Sequence, residues 1–134
     1  MRVYVDMVGD LFHYGHVNLL KNIKNDYPKS IIILGLHNDE DITNYKRKPI
    51  LNFFERKSVI ESCKYVDELF ECPLNITKEL IRDKKIDLIV HGHPVSEHEK
   101  YRFLWENNED MFKRYDYTEG ISTTEIIDRV KNNI

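Results

Sequence analysis

V-Y-V-D-M-V-G-D-L-F-H-Y-G-H-V-N-L-L-K, from Val3 to Lys21, changes its periodicity in the middle. Val3, Val5 and Val8, with Leu11 and Phe12 behind them, read as a short buried strand running into a turn. From His16 onward Val17, Leu19, Leu20 and Ile23 follow helical spacing. Between the two lies His13-Tyr14-Gly15-His16, with Gly15 where the chain is expected to bend tightly into the helix. Two imidazoles thus stand at the carboxyl end of a strand and at a helix N-terminus. Unpaired amides and the positive end of the helix dipole attract phosphate there. Imidazoles in that position donate hydrogen bonds to charge developing on phosphate oxygens. Spacing alone leaves two other readings open. The histidines are surface residues of a turn, or they are half of a zinc site completed by His91 and His93.

The 134 residues are expected to form one domain, residues 1–134, with a single core. A net charge of −3 with no basic tail argues against nucleic acid as a partner. No apolar run reaches membrane-spanning length and no signal-peptide pattern opens the chain, so a cytoplasmic protein without membrane insertion is expected. Cys63 and Cys72 are too few and too unpatterned for a disulfide framework, and Cys63 falls in a helical pattern as a core residue.

Beyond the first helix, Ser30 to His37 is a continuous apolar run, the mark of a parallel strand covered on both faces. Asn38-Asp39-Glu40 offers a helix start, and a polar segment with Lys46, Arg47 and Lys48 follows. A helix is expected over Asn52–Cys63 with Phe54, Val59, Ile60 and Cys63 facing inward. Strands are expected over Val66–Glu71, Ile86–Val90 and Met111–Tyr117. A short helix capped by Thr77, another over residues 100–107 and an amphipathic last helix carrying Ile126, Ile127 and Val130 complete the pattern. The alternation predicts an α/β fold: a Rossmann-like, doubly wound parallel sheet of about five strands with helices on both faces. Ligands of such sheets bind at the carboxyl ends of the strands. His13–His16, His91–His93 and Thr118–Thr124 all fall at such ends, so one crevice is expected to hold all three.

Gly120-Ile121-Ser122-Thr123-Thr124 places hydroxyls and amides at the start of the last helix, either as an ordinary cap or as a second phosphate cradle. Asp6, inside the first strand, is costly to bury unless it is paired or faces a ligand.

H-x-G-H after a strand is the signature of the α/β nucleotidyltransferases, and D-L-F-H-Y-G-H resembles their cytidylyltransferase branch. The resemblance extends over nearly the whole chain. T-E-G-I-S-T-T resembles the second signature of that family, which grips the CTP phosphates. Lys46 stands ten residues before Arg56 of Glu55-Arg56, as a family lysine does, and Lys64–Glu68 resembles a family stretch near a dimer contact. By this resemblance His13, His16 and Lys46 are catalytic. Val8, Gly9, Asp10, Gly15, His91, Gly92, Thr118, Gly120, Ile121, Ser122, Thr123 and Thr124 bind CTP. Asp6, Arg56 and Tyr101 bind the substrate, with Asp6 facing an ammonium group; by residue type Tyr101 or Trp105 either supplies an aromatic face to that group or belongs to the core. No residue is assigned as a metal ligand, and Mg²⁺ is expected to accompany CTP. A homodimer is expected.

The implied reaction is cytidylyl transfer from CTP to a small phosphorylated amino alcohol, with ethanolamine phosphate favoured by Asp6, Tyr14 and the L-G-L-H-N-D-E-D-I stretch. Choline phosphate and glycerol 3-phosphate are the alternatives. The chain departs from the family pattern at Met7 and Gly9, at His93-Pro94, and at Tyr117, where the second signature normally begins with Arg. A non-catalytic nucleotide-binding relative is therefore the rival of another class.

Overall fold

The computed structural model describes residues 1–92 and 109–134. Tyr101, Trp105, His93, Pro94 and the helix expected over 100–107 lie outside them. Five parallel strands, β1 (Arg2–Met7), β2 (Ile31–Leu36), β3 (Glu68–Glu71), β4 (Leu88–His91) and β5 (Phe112–Arg114), form one sheet in the order β3-β2-β1-β4-β5. The chain winds outward from β1 to β3, then returns to the other side of β1 with β4. That reversal places a topological switch point between β1 and β4, where a crevice opens at the strands' carboxyl ends.

Alternation along β1 divides the core in two. Val3 and Val5 join Ile32, Leu34, Leu36, Leu88 and Val90 on one face, under Leu20 and Ile23 of α1 (Tyr14–Asp26) and Ile60 of α3 (Phe53–Ile60). Tyr4, Ile33 and Ile89 turn to the other face, where Ile76, Ile86 and Leu80 of α4 (Lys78–Asp83) cover them. Both faces are covered, which is why β2 and β4 read as uninterrupted apolar runs. The remaining helices are α2 (Asp39–Tyr45), started by Asn38, and α5 (Thr123–Asn132), started by Ser122. In each cap the side-chain oxygen accepts an otherwise unpaired N–H of the first turn.

Three expectations are corrected. Phe54 and Val59 of α3 are exposed, at 78% and 47%, and the inner face is instead Arg56 and Ile60 with Phe53 alongside. An apolar count cannot foresee this, because a buried guanidinium occupies the position an aliphatic residue was expected to fill. Val130 of α5 is 54% exposed, so that helix rests on the domain more lightly than its pattern implies. Gly15 lies inside α1 rather than at a bend before it, and His13 is the cap.

Candidate functional site

A cavity of about 630 Å³ opens at the switch point. Its walls come from the β1–α1 turn, the end of β2, the segment after α2, Gly92 after β4 and the residues leading into α5. The turn residues Asp6, Val8, Gly9, Asp10, His13, Gly15 and His16 line it. Lys46, Thr118, Ile121, Ser122, Thr123 and Thr124 line it from the facing segments. The first and last motif segments thus share one crevice, and the His91–His93 segment borders it through Gly92.

Both imidazoles are oriented by backbone. Gly15 N–H donates to Nδ1 of His13 at 3.1 Å, and His13 N–H donates to Nδ1 of His16 at 3.0 Å. A ring nitrogen that accepts an N–H carries no proton, so the proton of each neutral ring sits on Nε2. Burial holds the pKa of His13 below the ordinary histidine value. Burial, and then the proximity of His13, brings His16 down to about 4. Near neutral pH the pair is therefore two uncharged Nε2–H donors at the N-terminus of α1. Phe12 stacks on His16 with centroids 5.2 Å apart, which fixes the plane of that ring. Gly15 is needed for a packing reason, since a Cβ there would lie 2.9 Å from Cε1 of His13.

The turn itself is clamped from two sides. Asp10 is buried, and its carboxylate accepts the amides of Ile50 and Leu51 at 2.8 and 3.0 Å. Its carbonyl accepts the Thr123 hydroxyl at 2.9 Å. The Asp10 carboxylate therefore holds two loops together at a residue that also borders the cavity. Gly9 is at φ +64°, and a Cβ there would strike Cδ1 of Ile60 at 2.5 Å. Asn18 donates to the Thr118 hydroxyl at 2.9 Å, tying α1 to the segment before α5.

Arg56 is also corrected. It is fully buried and donates to the carbonyls of Leu51, Val8 and His37 and to Oδ1 of Asp39, at 2.7–3.0 Å. It is out of reach of a ligand and instead fixes the ends of β1 and β2 relative to α2. His91 and Gly120 do not line the cavity. The His91 ring is buried and stacks on Phe112 at 5.4 Å, and His93 of the four-histidine zinc reading lies outside the described residues. Among the described residues no three His, Cys, Asp or Glu side chains gather to hold a metal ion. Ser122 caps α5 through its hydroxyl, which accepts Glu125 N–H at 3.1 Å.

The profile of the family described as cytidylyltransferase-like matches residues 9–129. The chain belongs to this family. It is 35% identical over 133 residues to an ethanolamine-phosphate cytidylyltransferase of Dictyostelium discoideum, covering 97% of this chain and 36% of the relative. It is 36% identical over 135 residues to the human choline-phosphate cytidylyltransferase A, with the same coverages. The chain thus spans about a third of the length of these curated relatives. A structure described as the lipopolysaccharide core biosynthesis protein from Thermoplasma volcanium superposes with a TM-score of 0.67 at 21% identity, over 89% of this chain and 98% of that one. That likeness shows the Rossmann-like fold.

In this cytidylyltransferase-like domain the cavity also contains residues that the sequence reading passed over. His37 is 7% exposed and reaches the cavity beside Asp6, with Nε2 3.2 Å from Oδ2. Leu74 and Asn75, after β3, line it as well. His37 closes an apolar run, and nothing local distinguishes it from a strand-end polar residue. Tyr117 lies against Gly92, where a Cβ would meet its Cε1 at 3.3 Å. Arg114, paired with Asp116 at 2.7 Å, does not line the cavity, whereas Arg47 does.

Proposed function

We propose that the domain transfers a cytidylyl group from CTP to a small phosphorylated amino alcohol, ethanolamine phosphate first, releasing pyrophosphate. The observation that carries this reading is the pair of Nε2–H donors of His13 and His16, which shares one cavity with the α5 N-terminus and Asp6. A phosphate oxygen of the amino alcohol attacks the α-phosphorus. The bond from that phosphorus to the oxygen bridging to the β-phosphate breaks, and pyrophosphate leaves with the electron pair. No covalent intermediate with the protein is needed, so catalysis is positioning and charge stabilisation. His13 and His16 donate to the non-bridging α-phosphate oxygens as charge develops. Lys46 neutralises the two phosphates brought together, and the amides at the start of α5 hold the β- and γ-phosphates. Asp6 faces the ammonium group.

Mg²⁺ belongs to the substrate in this reading, arriving bound to the triphosphate. No described helix is long and apolar enough to cross a membrane, and a cytoplasmic location is part of the proposal. A homodimer is part of the same reading, with the Lys64–Glu68 stretch near its contact. Light scattering of the eluted protein tests the dimer.

Pyrophosphate release, measured with CTP or ATP against ethanolamine phosphate, choline phosphate and glycerol 3-phosphate, tests the reaction. Turnover should be fastest with CTP and ethanolamine phosphate, and CTP with Mg²⁺ should raise the Tm. Equal stabilisation by ATP would count against cytidine. CTP binding without turnover of any phospho-alcohol would establish the non-catalytic alternative.

A further inference from the structure

The end of the cavity at Asp6 is built from side chains that the phosphate chemistry does not use. Asp6 follows Tyr4 on the same face of β1 and pairs in register with Gly35 of β2. A Cβ on Gly35 would lie 2.5 Å from the Tyr4 hydroxyl and 2.8 Å from Cβ of Cys72. The glycine thus lets Tyr4 and Cys72 close over the strand. His37, two residues further on, rests against them, with Nδ1 3.5 Å from Sγ of Cys72 and Nε2 3.2 Å from Oδ2 of Asp6. Its carbonyl accepts Nη1 of Arg56 at 2.8 Å, so backbone and ring are both held.

Proton positions follow from the partners. An ionised carboxylate only accepts, so Nε2 carries the ring proton and donates to Asp6. Nδ1 lies beside the Cys72 thiol, which burial keeps protonated, its pKa pushed up to about 12. His37 thereby fixes the rotation of the Asp6 carboxylate. A carboxylate has about four lone-pair sites, so a further donor can approach beside His37.

We propose that His37 is a positioning residue that makes this end of the cavity select an ammonium group bearing N–H bonds over a quaternary one. The inference rests on the amino-alcohol reading above. An N–H of a primary ammonium forms a directed, charge-assisted hydrogen bond, which an oriented oxygen strengthens. A quaternary ammonium has no donor and is attracted by charge and aromatic faces, which carboxylate rotation hardly changes. Fixing Asp6 therefore favours the first and leaves the second almost unaffected.

The test is steady-state kinetics of the full chain with CTP and Mg²⁺ on ethanolamine phosphate and choline phosphate, for wild type, His37→Leu, His37→Asn and His37→Gln. His37→Leu should raise KM for ethanolamine phosphate about tenfold, the effect of losing one directed hydrogen bond to a charged group, with kcat changed far less. KM for choline phosphate and for CTP should stay within about twofold. His37→Gln, whose amide can donate to Asp6, should recover most of the selectivity. His37→Asn, too short to reach, should resemble His37→Leu and serves in its place if the leucine variant melts early. Equal losses on both amines in His37→Leu and His37→Asn, unchanged selectivity, or a wild type that prefers choline phosphate would overturn the inference while cytidylyl transfer stands. A wild type that turns over no phospho-alcohol would overturn both.

Discussion

The rings of His13 and His16 lie with centroids 3.9 Å apart, and each uses its Nδ1 to accept a backbone N–H. The two side chains are therefore a single device, in which the cap of α1 sets the tautomer of the histidine pair. His16→Ala should lower kcat by about 10²–10³, the usual effect of removing one preorganised donor. An unchanged kcat would end the proposed role.

Stability should carry the signature of this pair. Unfolded His16 takes up a proton near 6.5, but native His16 only near 4. Between those values the unfolded state binds more protons, so its share grows as pH falls. The contribution of neutral His16 is complete above pH 6.5 and is lost progressively down to about pH 4. Urea melts between pH 4 and 7.5 should show a decline that is shallower in His16→Gln. Parallel declines would contradict the buried, neutral assignment.

Gly15→Ala separates packing from catalysis. Alanine is favoured over glycine inside a helix by about 0.5–1 kcal/mol, yet the added Cβ would press on the His13 ring. The variant should keep its Tm within a few degrees while kcat falls at least about tenfold. A fully active Gly15→Ala protein would show that the ring position is not critical.

Removing Arg56 should act through stability. Its guanidinium bonds to carbonyls from three separate segments and to Asp39, so Arg56→Ala leaves buried acceptors unmet. A loss of about 3–5 kcal/mol is expected in denaturant melts. Arg56→Lys should recover little, because one ammonium cannot reproduce the planar fork. A variant as stable as wild type but unable to bind phospho-alcohol would restore the substrate-binding role.

Tyr117 lines the cavity where the family signature has arginine. Tyr117→Arg should raise kcat/KM with CTP by about tenfold or more, below the 10³–10⁵ that a fully integrated arginine can supply. Arg47→Ala should weaken CTP binding if that cation fills the gap. A Tyr117→Arg protein with lower activity would mark tyrosine as part of an altered but working site.

Local chemistry determined much of this domain. Apolar runs covered on both faces made β2 and β4 readable, side-chain caps made the starts of α2, α4 and α5 readable, and the change of period at Val17 located α1. These signals are short-range, and neighbouring residues are sufficient to produce them. The clustering of His13–His16 with Thr118–Thr124 was also legible, because parallel strands bring their carboxyl ends to one edge. The third segment placed there, His91–His93, reaches the cavity through Gly92, while the His91 ring packs on Phe112. Tertiary structure decided the rest. Arg56 is buried because acceptors from residues 8, 37, 39 and 51 converge on it, and Asp10 is a clamp because Ile50 and Leu51 present their amides to it. His37 acquires its relation to Asp6 only when Gly35 lets Tyr4 and Cys72 close over the sheet. No local pattern encodes these, since each depends on partners tens of residues away whose distance is set by the packing of the sheet.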